Sequence, residues 1–285
     1  VMKQARLVVA FGSTVDSARE HQIDAVLNRI KEKYTDYEVR LAFSSRIIVK
    51  RLRDRGIEIP TEQGALDALI GEGYTDIYVQ PLHFTGGEEF DKLKHNILNH
   101  ERAQELNTLR VGRPLVYYMG QEEHPNDYQI LIDTFVTSLS VSNEDGLLLV
   151  GHGGLGSGNS AYGYLQYQLI RSGLNHVRVA TLENAPYVDD VAVPWEWLDG
   201  KKPNKIYVHP LLLVLGDHAL NDLFGDEEDS VVNVLKEAGY EVEEMHHALG
   251  EYTEIQDIYC QHIQDCIDDI YGKRSSHRPA IPNVK

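Results

Sequence analysis

The fold is decided by the stretch Leu147-Leu-Leu-Val-Gly-His-Gly-Gly-Leu-Gly-Ser-Gly158, in which a short apolar run leads directly into a glycine-rich turn. A continuous apolar run of this length predicts a strand that is buried on both faces. The amphipathic pattern at 159–172 that follows the turn predicts a helix. A strand, a tight turn and a helix in this order are typical of a parallel α/β sheet.

The same unit recurs along the whole chain. Strand patterns alternate with helical patterns, which predicts mostly parallel sheets covered by helices on both faces. The strands are predicted at 6–11, 38–43, 76–80, 109–112, 146–150, 177–181, 205–209 and 240–243, and the helices at 17–33, 45–55, 62–71, 88–104, 125–139, 159–172, 229–238 and 252–271.

The two halves of the sequence also resemble each other. Residues 75–89, TDIYVQPLHFTGGEE, align without a gap on residues 204–218, NKIYVHPLLLVLGDH. We interpret this as a duplication that gives two α/β lobes, and chance similarity between two strand–helix units is the alternative. The lobes are predicted at 1–122 and 123–272, with the last helix as a candidate to pack back on the first lobe. The basic, proline-containing tail at 273–285 is expected to be disordered.

Composition excludes several classes of partner. The formal net charge of −17 argues against nucleic acid and against a polybasic membrane surface. No apolar run reaches the roughly 18 residues of a membrane-spanning helix. Cys260 and Cys266 are spaced so that they do not share a helix face, and no disulfide is expected between them. We expect a cytoplasmic protein, or a periplasmic one if a leader has been removed.

Four polar residues follow predicted strands, at the sheet edge where open α/β folds bind ligands. They are His152, Glu183, and the aligned pair Glu89 and His218. Two imidazoles and one or two carboxylates suit a borderline divalent metal, and they can also accept protons. The alternative for each is structural: a hydrogen-bonded histidine, a turn, or a helix N-terminus.

A dinucleotide site is a competing interpretation, because Gly151-His-Gly-Gly-Leu-Gly156 satisfies the pattern G-x-G-x-x-G. Three features argue against it. The pattern lies in the middle of the chain, a histidine adds bulk where pyrophosphate should approach, and no acidic residue lies about 20 positions later. An NAD-dependent oxidoreductase therefore ranks below a metal site.

Six short motifs are spread along the chain. They are Val9-Ala-Phe-Gly-Ser13, Gln80-Pro-Leu-His-Phe-Thr-Gly-Gly-Glu-Glu-Phe-Asp-Lys92, Asn126-Asp-Tyr128, Val150-Gly-His-Gly153, Leu182-Glu-Asn-Ala-Pro186 and Pro210-Leu-Leu-Leu-Val-Leu-Gly-Asp-His-Ala-Leu-Asn-Asp222. Together they resemble the anaerobic sirohydrochlorin cobaltochelatases of the CbiK type, within the class II chelatase family. The resemblance extends from about residue 5 to about residue 270, and G-D-H-A-x-N-D is its most specific marker.

This resemblance implies two flavodoxin-like lobes with an active site in the cleft between them. It implies a lyase that inserts Co²⁺ into sirohydrochlorin for cobalamin biosynthesis, without ATP and without NAD. Iron insertion, as in ferrochelatases, and Ni²⁺ are alternatives, and so is a tetrapyrrole or metal carrier without turnover. Some family members are exported, form homo-oligomers and carry haem, for which His95 is the candidate here; a solvated helix histidine is the alternative.

The resemblance also suggests roles for individual residues. His152 and His218 match the active-site histidines and are expected to be catalytic and to bind the metal. Glu89 and Glu183 match the acidic residues, which either complete the metal coordination or accept protons. The substrate carries many carboxylates, and its donors are expected among Ser13, Thr14, Ser44, Ser45, Arg46 and the backbone of Gly153 and Gly154.

Overall fold

The computed structural model describes residues 3–198 and 201–271, and these form two compact units. One unit consists of residues 3–117 and 250–271, and the other of residues 118–249. The predicted lobes divide after residue 122, whereas the second compact unit begins at Tyr118 and the chain returns to the first unit at Gly250. The predicted disorder of 273–285 lies outside the described residues.

The first unit is a parallel sheet of four strands in the order β2-β1-β3-β4. Leu7, Val8 and Val9 of the central strand are fully buried, because helices cover both faces of the sheet. The strands are β1 (Gln4–Ala10), β2 (Glu38–Phe43), β3 (Asp76–Pro81) and β4 (Thr108–Val111).

Helices alternate with these strands, and side-chain caps begin two of them. Ser45 Oγ accepts a hydrogen bond from Ile48 N, and Thr61 Oγ1 accepts one from Gly64 N. The helices are α1 (Asp16–Ala18), which continues through a π-helical turn (Arg19–Ile23) into α2 (Asp24–Lys33), then α3 (Arg46–Asp54), α4 (Glu62–Gly71), α5 (Glu88–Leu98) and, from the end of the chain, α11 (Thr253–Asp268).

Helix α11 is part of the first unit. Tyr259 Oη donates to the carbonyl oxygens of Leu82 and His83, 3.0 Å away in each case, in the segment that follows β3. Arg113 Nη1 lies 2.9 Å from Asp265 Oδ2 on α11, and this ion pair is buried, with 4% and 8% of the two side chains exposed. The last helix therefore completes the core of the first unit.

The second unit repeats the first, with four parallel strands in the order β6-β5-β7-β8. The two sheets have the same strand order, and β3 and β7 occupy matched positions in the aligned sequences. The elements are β5 (Gly146–Gly151), β6 (Val177–Thr181), β7 (Lys205–Pro210), β8 (Glu241–Glu244), α6 (Asp127–Leu131), α7 (Ser160–Arg171), α8 (Val188–Val191), α9 (Asp217–Phe224) and α10 (Val231–Glu237).

The prediction of two similar lobes with mostly parallel sheets covered by helices is confirmed. The helix predicted at 88–104 ends at Leu98, and the short helices α8 and α9 were not predicted. Both are shorter than three turns, so they contribute too few residues to produce a clear helical period. Cys260 and Cys266 are buried and free. Within residues 3–198 and 201–271, no helix is both long and apolar enough to cross a membrane.

We expect His83 to make the stability of the protein depend on pH. Its ring nitrogens are buried and find no hydrogen-bond partner among the described residues, and this burial lowers the pKa of His83 to about 4. In the unfolded chain the pKa is roughly 6.5. Between these values the unfolded state binds the extra proton, so the free energy of unfolding decreases as the pH is lowered, by about 3 kcal/mol at pH 4.

The variant His83→Leu is expected to lose this part of the pH dependence. Urea unfolding from pH 7 to pH 4 would give the slope for each protein, with the exposed His95→Leu as the control. Equal slopes for His83→Leu and the wild type would contradict the expectation.

The buried ion pair on α11 gives a second stability prediction. Asp265→Ala leaves the Arg113 guanidinium buried without its partner carboxylate, and we expect the free energy of unfolding to decrease by about 3 kcal/mol. Asp54→Ala, which removes a carboxylate that is 66% exposed and 4.0 Å from Lys50, should cost less than about 1 kcal/mol. Denaturant unfolding compares the two, and similar losses would refute the prediction.

Candidate metal centre

Three of the predicted site residues lie at one edge of the second unit's sheet. Glu183, His152 and His218 follow β6, β5 and β7, which are neighbours in the sheet and run parallel. The chain leaves β5 toward β6 on one side and reaches β7 on the other, so the strand order reverses beside β5. Such a reversal opens a crevice at the carboxyl edge of a parallel sheet.

His152 and Glu183 are close together. His152 Nε2 lies 3.6 Å from Glu183 Oε1, and each side chain is 60% exposed. The other ring nitrogen, Nδ1, is 2.9 Å from the carbonyl oxygen of Gly153. A carbonyl oxygen only accepts hydrogen bonds, so this contact requires the proton on Nδ1. The neutral ring then has its lone pair on Nε2, on the side of the carboxylate.

The backbone fixes this pair. Leu182 N donates to Gly151 O at 2.9 Å, and Glu183 N donates to His152 O at 3.1 Å. These bonds continue the pairing of β5 with β6 beyond the ends of the strands. The two side chains consequently leave from adjacent, hydrogen-bonded backbone segments.

The glycines of the turn allow close packing. A β-carbon at Gly151 would lie 2.3 Å from the Tyr162 ring, and one at Gly153 would lie 2.7 Å from Thr181 Oγ1. Gly153 also has a φ of +81°, a conformation that side chains disfavour. Burial raises the pKa of Tyr162 to about 12, which keeps this ring neutral beneath the turn. Two of the three glycines that match the dinucleotide pattern, Gly151 and Gly153, thus have a packing role.

His218 lies in the first turn of α9, immediately after Asp217, and its side chain is exposed. Its side chain forms no hydrogen bond with any other described residue. Across the described part of the chain, no group of three or more His, Cys, Asp or Glu side chains is gathered around a common point suited to a metal. Of the four residues predicted to bind the metal, His152 and Glu183 are the two whose contact the structure shows.

Glu89 occupies the position in the first unit that His218 occupies in the second. It is exposed in the first turn of α5, which begins after Gly87. A carboxylate at this position is stabilised by the partial positive charge of the helix N-terminus. His95 is exposed on the same helix, with its Nδ1 3.2 Å from Asn99 Nδ2, and its role in haem binding stays a prediction.

The predicted carboxylate-binding residues of the first unit follow β1 and β2. Their side chains differ in how many hydrogen-bonding atoms are already used. Three side chains already form hydrogen bonds: Ser13 Oγ accepts from Val15 N, Ser45 Oγ caps α3, and Arg46 Nη2 donates to Gln63 Oε1 at 3.0 Å. Ser44 Oγ is buried without a partner among the described residues. At Thr14 it is the backbone carbonyl that accepts a hydrogen bond, from Arg55.

Two further residues of this edge, Asn159 and Asn184, are not among the predicted site residues. Asn159 Oδ1 accepts from Gly154 N at 2.9 Å, so one of the predicted backbone donors is already bonded within the protein. Asn184 Nδ2 donates to Gly154 O at 3.1 Å. The only signal for Asn159 was its place at the start of the helix predicted at 159–172, where an asparagine ordinarily indicates a helix cap.

Comparison with known proteins identifies the family. Residues 4–268 match the protein family described as Cobalt chelatase (CbiK). The chain belongs to this family. The chain is 30% identical over 270 residues to the sirohydrochlorin cobaltochelatase of Salmonella typhimurium (strain LT2), with 94% of this chain and 97% of that protein covered.

A second relative of the cobalt chelatase family is sirohydrochlorin cobaltochelatase CbiKC of Nitratidesulfovibrio vulgaris (strain Hildenborough). It is 26% identical over 263 residues, which is 92% of this chain and 89% of the relative. Among solved structures, SirB from Bacillus subtilis with Fe³⁺ has a TM-score of 0.64 at 16% identity, and 95% and 98% of the two chains are covered. At this identity the SirB likeness supports the fold alone.

The turn that carries His152 generates a testable prediction. Gly153→Ala places a β-carbon against Thr181 at a positive φ, and we expect the free energy of unfolding to decrease by about 1 to 3 kcal/mol. Gly163→Ala, within α7 and with open space around it, should instead stabilise the unit by up to about 1 kcal/mol. Chemical denaturation measures both, and a neutral Gly153→Ala would show that the turn tolerates a side chain.

Proposed function

We propose that this protein inserts Co²⁺ into sirohydrochlorin without ATP. Membership of the cobalt chelatase family supports the reaction, together with the two relatives named for it. The observation that carries the proposal is the 3.6 Å separation of His152 Nε2 and Glu183 Oε1 at the carboxyl edge of the second sheet.

In this proposal His152 and His218 bind the incoming metal. Neutral imidazole is a suitable ligand for Co²⁺, and His152 offers Nε2 because its Nδ1 is bonded to Gly153 O. Protein nitrogen and oxygen ligands lie roughly 2 Å from a bound divalent ion, so two donor atoms 3.6 Å apart can share one ion. Glu183 is proposed as the second ligand of this pair.

Metal insertion also removes two protons from pyrrole nitrogens, and this requires an acceptor. We assign this role to Glu89, because a carboxylate can accept protons and this one is exposed rather than paired in a buried network. The alternative assignment exchanges Glu89 and Glu183. The substrate carboxylates would be bound locally by Ser13, Thr14, Ser44, Ser45, Arg46 and the turn at Gly153, since the overall charge of −17 repels them. The N–H of Gly154 is not proposed as a donor, because Asn159 Oδ1 already accepts its hydrogen bond.

Co²⁺ is proposed over Fe²⁺ and Ni²⁺ because the family is described as a cobalt chelatase and both relatives are named cobaltochelatases. No NAD is proposed, because the glycines of the turn accommodate Tyr162 and Thr181. We further propose a cytoplasmic location and a homo-oligomeric assembly, with haem binding at His95 where haem is present.

The test is Co²⁺ insertion into sirohydrochlorin, followed by absorbance in the absence of ATP and NAD. His152→Ala and His218→Ala are each expected to reduce the enzymatic rate by about 100-fold, because each removes a metal ligand. His21→Ala, on an exposed surface of the first unit, is the matched control and should retain the wild-type rate.

Full activity in both His152→Ala and His218→Ala would refute the proposed site. Binding of sirohydrochlorin and Co²⁺ with no rate above the uncatalysed reaction would instead indicate a carrier. Faster insertion of Fe²⁺ or Ni²⁺ than of Co²⁺ would overturn the proposed metal.

A further inference from the structure

The Asn159 side chain joins two loops that lead away from the candidate metal centre. Its Oδ1 accepts from Gly154 N at 2.9 Å, and its Nδ2 donates to Ala185 O at 2.5 Å. Gly154 lies two residues after His152, and Ala185 lies two residues after Glu183. One amide thus holds both loops, and its oxygen and nitrogen are each matched to a group of the required polarity.

The bond to Gly154 N bears directly on the His152 ring. The N–H of Gly154 and the C=O of Gly153 belong to the same peptide unit, which is planar. Asn159 Oδ1 holds the N–H of this unit, and His152 Nδ1 lies 2.9 Å from its carbonyl oxygen. The orientation of this peptide plane therefore decides whether His152 Nδ1 has an acceptor.

The position of Asn159 in the chain strengthens this assignment. It immediately precedes α7, where an asparagine side chain ordinarily accepts a hydrogen bond from the helix backbone. Here the Asn159 side chain makes no cap hydrogen bond. Both of its polar groups are used between the loops, so a role in starting the helix does not explain the residue.

The first unit provides an internal comparison. The equivalent turn follows β1, and there Phe11 occupies the place of His152 and Gly12 the place of Gly153, with a φ of +110°. That turn is closed locally, by Ser13 Oγ accepting from Val15 N at 3.1 Å. The Asn159 link is therefore found in the unit whose turn carries an imidazole.

We propose that Asn159 is a positioning residue that fixes His152 in its Nδ1–H tautomer and thereby directs the Nε2 lone pair toward Glu183. Asn184 supports it, since Asn184 Nδ2 donates to the carbonyl of Gly154, 3.1 Å away. The tautomer assignment concerns the protein alone, and its consequence for cobalt rests on the proposed function.

The first experiment reads the tautomer without metal. Long-range ¹H–¹⁵N spectra of the histidine rings distinguish protonated from unprotonated nitrogens, and the His152 signals are identified by their loss in His152→Ala. At a pH where the ring is neutral, the wild type should show Nδ1 protonated. Asn159→Ala should lose this preference, because Gly154 N then has no side-chain acceptor.

Two further variants make the result specific. Asn159→Leu keeps most of the volume and removes both polar groups, so it should reproduce Asn159→Ala even if the smaller side chain destabilises the unit. Asn233→Ala is the matched control, because Asn233 Nδ2 donates to the carbonyls of Gly225 and Glu227 in another loop of the same unit. It should leave the His152 tautomer unchanged.

The second experiment measures Co²⁺ affinity by titration of the metal alone. Asn159→Ala and Asn159→Leu should bind Co²⁺ about 10-fold more weakly than the wild type, as expected when a residue that orients a metal ligand is lost. Asn233→Ala should match the wild type.

The outcomes separate this inference from the proposed function. A wild-type tautomer in both Asn159→Ala and Asn159→Leu would overturn the positioning role. Unchanged Co²⁺ affinity in His152→Ala would overturn the proposed metal site, while the metal-free spectra would still decide the role of Asn159.

Discussion

The candidate centre depends on the hydrogen bonds that extend the pairing of β5 and β6 beyond the ends of the strands. Because Glu183 N donates to His152 O, an imidazole and a carboxylate emerge side by side from backbone that is already ordered. The glycines at 151 and 153 permit this, since side chains there would collide with Tyr162 and Thr181. The close packing of the turn on Tyr162 and Thr181 therefore also fixes where His152 and Glu183 lie. A site that is ordered in advance loses little conformational entropy when it binds a ligand.

The duplicated architecture separates scaffold from chemistry. Both units have the same strand order, and both use a glycine with positive φ after the first strand of the unit. The side chains at matched positions differ: the first unit has Phe11 where the second has His152, and Glu89 where the second has His218. Function in this fold is thus set by a few residues at the strand ends, while the apolar strands that support them are of the same type in both units.

Much of the fold could be predicted from sequence because its strands are continuous apolar runs, and Leu147–Val150 illustrates how strong that signal is. His152 and Glu183 could be placed at one edge, since parallel strands end together. Helix α9 escaped detection because eight residues give little periodicity. Asn159 escaped because its role depends on side-chain contacts with Gly154 and Ala185, which lie on two different loops and have no pattern in sequence.

Helix α11 has a consequence for how the molecule is made. The first unit consists of two chain segments separated by the whole second unit, and residues such as Ile255, Tyr259 and Ile263 complete its core. During synthesis the first sheet emerges before the second unit, whereas helix α11, which completes its core, emerges after it. The second unit is one continuous segment, so it can finish folding before the first unit does, although its synthesis starts later. Until α11 has been synthesised, the first unit lacks the apolar residues with which this helix completes its core, and incomplete units of this kind are prone to aggregate.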